Sequence, residues 1–259
     1  MNPLRAAMAR GPVVGTFLKL PRPEVVDLLA LAGFDFVICD LEHARLSEAD
    51  AHAVLQAARV HDLPVVVRVE ELTRGPINRL IEHGAAGIQL PRTRTAEDVR
   101  ALVDLTRFPP VGSRSVGTAH LAAGYGRQPL AEYVDDDARR PLLVGQFETR
   151  GDAAPVDGLD VAFLGTVDLT VDHGVPGQLA DPAVAARIVQ IETAARAGDV
   201  ALGAFASGLD QIHRFATAGY RYIAVSGDVS MLAAGARDAI AETRTALAAA
   251  GTNDQKEPS

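Results

Sequence analysis

Eight short apolar runs recur along the chain, separated by helix-like stretches, and this alternation limits the fold more than any other feature. The runs cover residues 13–18, 34–39, 65–69, 86–90, 142–147, 161–164, 200–205 and 222–226. They are nearly continuous in Val, Ile, Leu, Phe and Ala rather than alternately polar, the pattern of strands covered on both faces. Between them, residues 22–32 place Val25, Leu28, Leu29 and Ala32 at helical spacing, with Gly33 as the stop. Residues 47–60 open on Ser47 as an N-cap, and residues 95–107 open on the capping-box-like Thr95-Ala96-Glu97-Asp98. Asp181-Pro182 starts a helix that ends near Gly198, and residues 209–218 and 229–250 complete the set.

Gly33, Gly84 and Gly219 each stand after a helix and before a strand, so one βα unit repeats. Eight such units predict an α/β fold, a single-domain (β/α)8 TIM barrel over residues 1–250, with 251–259 as a flexible polar C-terminal tail. A doubly wound open sheet is the alternative. No Gly-x-Gly-x-x-Gly follows the first strand, which weakens a dinucleotide-binding version.

Composition narrows the partners. A net charge of −8 without a basic stripe excludes a nucleic-acid partner. No stretch approaches the roughly 18 apolar residues of a membrane span, and Arg5 and Arg10 precede no apolar signal segment. The single cysteine, Cys39, rules out an internal disulfide, suits a reducing cytoplasm, and reads as a buried core thiol.

Four polar fragments fall where strands should end: Asp40-Leu41-Glu42-His43, Val67-Arg68, Gln146-Phe147-Glu148-Thr149 and Gly165-Thr166-Val167-Asp168-Leu169. In a barrel those ends share one mouth. Glu148 and Asp168 form an all-oxygen pair suited to a hard divalent ion, Mg2+ or Mn2+ rather than Zn2+, with positions left for water and a chelating 2-oxo acid. Arg68 is placed to stabilise an enolate oxygen, and His43 is the base, with Glu82 positioned to orient its ring. His52, His61, His83, His173 and His213 read as structural or solvated, whereas His120 lies in a long Gly-rich connection, 109–127, and is a further candidate.

These residues bring out a family likeness. From about Gly15 to Ala249 the chain resembles the class II, metal-dependent pyruvate aldolases of the HpcH/HpaI type. The likeness is carried by the segments at 34–44, 64–69, 87–91, 108–114, 146–149 and 163–170, in family order. It implies a barrel whose last helix is swapped between subunits, a homo-oligomer assembled as a hexamer, and Mg2+, Mn2+ or Co2+ as cofactor. It further implies Glu148 and Asp168 as metal ligands, Arg68 as enolate stabiliser, a His43–Glu82 dyad, and pyruvate held by Gln146 and the backbone of Gly165, Thr166 and Val167.

The expected activity is cleavage or formation of a C–C bond in a 4-hydroxy-2-oxo acid, with a small 2-oxo acid and an aldehyde as partners. Gly165-Thr166 stands where the family usually has Gly-Pro, Arg114-Ser115 where it has Arg-Gly, and Arg150-Gly151-Asp152 where a helix is usual. These departures motivate an alternative: biosynthetic bond formation from oxaloacetate or a related 2-oxo acid, either citrate-synthase-like or a decarboxylative addition. A barrel that only binds a small acid has no need of His43.

Overall fold

The computed structural model describes residues 1–151 and 158–253. Eight strands, β1 Val13–Leu18, β2 Phe36–Asp40, β3 Val65–Arg68, β4 Gly87–Leu90, β5 Leu142–Phe147, β6 Val161–Leu164, β7 Ala201–Ala206 and β8 Tyr222–Gly227, follow the apolar runs nearly residue for residue. They pair in sequence order, all parallel, and β1 pairs with β8 to close the barrel. The open-sheet alternative is thereby overturned. Closure is the reason why every strand is almost wholly buried: the inner face packs on itself and the outer face lies under helices.

The outer helices are α2 Pro23–Leu31, α3 Glu48–Val60, α4 Arg74–Glu82, α5 Ala96–Thr106, α8 Pro182–Ala197, α9 Leu209–Thr217 and α10 Asp228–Asn253. Ser47 and Thr95 each close a capping box, with Asp50 and Asp98 as the reciprocal acceptors. Gly33, Gly84 and Gly219 have φ of +91, +101 and +84°, which explains why glycine recurs at the helix-to-strand junctions.

Other elements were not read from the pattern. Helix α1, Pro3–Arg10, lies across the N-terminal ends of the strands. Asn2 donates to Ala86 O at 2.8 Å, and Arg5 pairs with Asp160 beside β6. Leu4 and Met8 join the core inside the barrel with Phe36, Val66, Phe163 and Tyr222. Within that core Gly15 admits the Phe36 ring, which overlies the space a Cβ would fill. Two short helices, α6 Leu130–Asp135 and α7 Thr166–Asp172, carry no signal in the pattern, nor does a 3-10 turn, Leu121–Gly126, within the Gly-rich connection, and α4 is marked in the sequence only by its Gly84 stop. The final helix α10 runs to Asn253, three residues into the expected tail; the rest of that tail, and Asp152 of the Arg150-Gly151-Asp152 stretch, lie outside the described residues.

Leu4 is almost fully buried at the floor of the barrel. Leu4→Ala is expected to cost about 2–4 kcal/mol of unfolding free energy by urea denaturation, because the closed strands cannot collapse into the void. The activity of the folded fraction should not change, since the mouth is at the other end.

Candidate active site

Parallel strands send their C-terminal ends to one rim, and the predicted residues collect there. Asp40 ends β2, Arg68 ends β3, and Glu148 immediately follows β5. A cavity of about 350 Å3 opens at this rim, lined by Lys19, His43, Arg68, Gln146, Asp168 and Asp228 among others. Gly165, Thr166 and Val167 line it too. A larger cavity, about 610 Å3, opens at the opposite end around Arg107, Arg114 and Tyr133, and none of the predicted site residues lines it.

Arg68 is buried and held on two sides. Its Nε and Nη2 donate to the two oxygens of Asp40 at 2.8 and 2.7 Å, a bidentate fork, and the guanidinium lies over the Phe17 ring at 4.8 Å. Its Nη1 stands 3.3 Å from Glu42 Oε2. Burial alone would raise the Asp40 carboxyl. The Arg68 hydrogen bonds and charge, the His43 amide and Lys19 outweigh it and hold that carboxyl below the usual carboxylate range. Asp40 is therefore an anion whose work is to aim Arg68. It stands in one of the polar strand-end fragments, but only the fold reveals this task.

Glu148 behaves oppositely. Burial pushes its carboxyl up to about 7, and the charges of Asp168 and Glu42 push the same way. Hydrogen bonds from the Gln146 amide and from Arg92 N, the latter at 2.7 Å, oppose the shift without cancelling it. Arg92 adopts φ +50°, a left-handed conformation at the strand end that presents its N–H to this carboxylate. Gln89, on β4, donates to Gln146 Oε1 at 2.6 Å and so fixes which end of the Gln146 amide faces Glu148. Gly165 backs directly onto Glu148: a Cβ there would come within 2.7 Å of the Glu148 Cβ.

Asp168 lies in the first turn of α7, exposed to the cavity. Among the described residues no group of three or more His, Cys, Asp or Glu side chains is placed to hold a metal by itself. The pair Glu148 and Asp168, with mutual repulsion and a carboxyl that burial has driven toward neutrality, is a donor set that fits a hard divalent cation completed by other oxygens.

His43 follows β2 and lines the same cavity, its Nε2 3.5 Å from Glu42 Oε2 and its side chain more than half exposed. Glu82 does not meet it within one chain. It ends α4, which returns from the rim to the N-terminal end of the barrel, and its partner there is His120 at 3.6 Å. Cys39 is buried, its thiol pushed up to about 12 mainly by burial. Lys19 and Asp228 are the rim residues that carried no functional signal in the sequence: Lys19 is one lysine after an apolar run, and Asp228 reads as an ordinary helix-start acid.

The HpcH/HpaI aldolase/citrate lyase family profile matches residues 14–234. A hydroxypyruvate/pyruvate aldolase of Paraburkholderia phytofirmans is 30% identical over 257 residues, covering 94% of this chain and 98% of that protein. A 4-hydroxy-2-oxo-heptane-1,7-dioate aldolase of Salmonella typhimurium is 32% identical, covering 91% and 92%. The crystal structure of a family member from Burkholderia cenocepacia superposes with a TM-score of 0.84 at 30% identity, over 94% of this chain and all of the other. The chain belongs to the HpcH/HpaI aldolase/citrate lyase family. It is an enzyme, a carbon–carbon lyase of the aldolase class.

The Glu148 shift has a measurable sign. Its folded value near 7 exceeds the ordinary 4.5, so the metal-free folded state holds a proton that the unfolded chain has released. The contribution of Glu148 to stability therefore falls as pH rises from about 5 to about 8. The gap in unfolding free energy between wild type and Glu148→Ala, measured in chelator, should move against wild type by on the order of 2–3 kcal/mol over that range. A constant gap would show that Glu148 titrates normally.

Proposed function

We propose that this enzyme is a divalent-metal-dependent aldolase that splits, and in reverse forms, the C3–C4 bond of a 4-hydroxy-2-oxo acid through the enolate of pyruvate. The observation that carries this reading is the buried carboxylate of Glu148, hydrogen-bonded by Gln146 and Arg92, at the rim whose cavity Asp168 and the pre-aimed guanidinium of Arg68 line.

Glu148 and Asp168 are the residues that would hold the ion. When bound, such an ion supplies Lewis-acid charge for a chelating 2-oxo acid. Mg2+, Mn2+ and Co2+ all suit an oxygen donor set that leaves positions to substrate and water.

The remaining work falls to the chain. Asp40 fills the Nε–Nη2 edge of the Arg68 guanidinium, and Nη1, which shares its charge with Glu42 at 3.3 Å, is the group offered to the oxygen that becomes negative as the C–C bond breaks. The Gln146 amide is locked by Gln89 and Glu148 and holds the 2-oxo acid in one orientation. Helix α7 starts at Gly165 without a side-chain cap, so the first amides, at Thr166 and Val167, have no acceptor within the helix and are available to a carboxylate. His43 takes the proton from the 4-hydroxyl in cleavage and returns it in synthesis.

A dyad of His43 with Glu82 requires Glu82 of another copy, since one chain keeps them at opposite ends. A homo-oligomer, a hexamer by family likeness with the last helix exchanged, supplies such a copy. Helix α10 supports this assembly: beyond its first turns it stands exposed through residue 250, Leu232, Ile240 and Leu247 included. Among the described residues no helix is long and apolar enough to cross a membrane, and the lone buried thiol of Cys39 suits the cytoplasm.

A screen of 4-hydroxy-2-oxo acids with pyruvate detection, run with each of the three ions, tests the reading. Pyruvate should appear with metal and vanish with chelator. Arg68→Lys keeps the charge but loses the fork, and should lower kcat by about 100- to 1000-fold. Turnover that survives both treatments would refute the mechanism.

A further inference from the structure

We propose that the large cavity at the N-terminal end of the barrel binds a phosphate dianion, free or as the phosphoryl group of a small monoester, through Arg107, Arg114 and Tyr133. The site is separate from the mouth and stands independently of the aldolase reading.

The local fold brings the three groups together. Arg107 directly follows α5, and the loop after it turns back on itself, so that Arg114 N donates to Arg107 O at 3.0 Å. Tyr133, on α6, forms a further wall. All three line about 610 Å3 of space, with Val103, Val111 and Leu159 as apolar surface beside them. That volume lies in the range of cavities that hold metabolite-sized ligands.

Arg114 is aimed by neutral groups. It is only 7% exposed. Its Nε donates to Asn78 Oδ1 and its Nη2 to Tyr133 Oη, both at 3.0 Å, and the guanidinium lies over the Phe108 ring at 4.5 Å. These contacts fix its direction and leave its charge unmatched. Among the described residues it makes no ion pair, and the charge of Glu82 reaches it only from beyond contact. Tyr133 Oη accepts from Arg114 and so keeps its own hydrogen to donate, and burial pushes its ionisation up, which keeps it a donor at neutral pH.

Arg107 is in a similar state, its side chain 11% exposed. Its Nη1 donates to Pro141 O at 3.0 Å, and its Nη2 stands 3.7 Å from Asp160 Oδ2. Asp160 is already gripped by Arg5, through Nε and, at 2.7 Å, through Nη2. Burial, and then the charges of Arg5, Arg140 and Arg114, push the Arg107 guanidinium down to about 10 against the pull of Asp160. The other acids of this wall are accounted for. Asp136 pairs with Arg139 at 2.9 Å, Asp137 pairs with Arg140 at 3.3 Å, and Asp135 is exposed at the end of α6.

Two buried guanidiniums thus share a cavity without a carboxylate of their own, an arrangement that costs free energy until an anion offsets it. With the Tyr133 hydroxyl they offer donors from three side chains. A phosphoryl group presents three oxygens to such a set, and a carboxylate presents two. An occupant would stabilise this end of the barrel by mass action.

The test is calorimetry on the Mg2+-loaded enzyme with inorganic phosphate, phenyl phosphate and benzoate, at matched ionic strength in chloride. Wild type should bind at least one of the two phosphates with a Kd of about 1 mM or below. Arg107→Met and Arg114→Met should each weaken that binding at least about tenfold, and Arg68→Lys, at the mouth, should leave it within about twofold. Tighter binding of phenyl phosphate assigns the site to a monoester, and equal or tighter binding of inorganic phosphate assigns it to the free ion. Hydrogen exchange of the wild type serves if the arginine variants do not fold: the tighter phosphate should slow amide exchange in residues 104–114 and 130–135. No phosphate binding below about 10 mM, benzoate bound as tightly as phenyl phosphate, binding that both arginine variants retain, or protection confined to the mouth overturns the assignment.

Discussion

Closure of a parallel sheet is the constraint on which everything else depends. Once β1 pairs with β8, all eight C-terminal strand ends must share a rim, whatever their separation in sequence. Asp40 and Arg68 are register partners on adjacent strands, and closure brings Glu148, two strands beyond β3, to the same rim. The rim is polar and the barrel interior is apolar, with Phe36, Phe163 and Tyr222 filling the middle and α1 sealing the floor. The floor and the chemistry are thus separate: stability is concentrated at one end and function at the other.

The rim sets two buried carboxylates to opposite tasks. Asp40 is kept ionised by a bidentate guanidinium, and the pair holds Arg68 rigid. Among the described residues Glu148 has no cationic side-chain partner, and burial pushes its carboxyl up to about 7 instead. The difference follows from partners, since both acids are almost wholly buried. A carboxylate that destabilises the empty fold by desolvation is one that a divalent ion relieves on binding, so the same burial that costs stability favours metal uptake. The left-handed Arg92, which presents an amide to Glu148, is local strain held by the surrounding barrel.

Much of this was legible in the amino-acid sequence. Strands buried on both faces read as continuous apolar runs, so β1 to β8 could be located closely, and the positive φ of Gly33, Gly84 and Gly219 explains why the βα repeat was visible. Short helices failed for the reason short helices always do: α1, α6 and α7 are too brief to show a period, and tertiary contacts rather than pattern hold them. At the site, strand-end position was enough to single out Arg68, Gln146, Glu148 and His43. It was not enough to reveal partners. The task of Asp40, the Gln89–Gln146 relay and the placement of Lys19 depend on register between strands. The Glu82–His120 pairing depends on which end of the barrel a helix terminus reaches.

The central claim is that Glu148 and Asp168 grip one cation beside Arg68. Equilibrium dialysis with Mn2+, followed by electron paramagnetic resonance of the bound ion, addresses it most directly. The account predicts one Mn2+ per chain, lost in Glu148→Ala and in Asp168→Ala separately, with a spectrum that changes on adding pyruvate. One ion retained at full occupancy in either variant would contradict it.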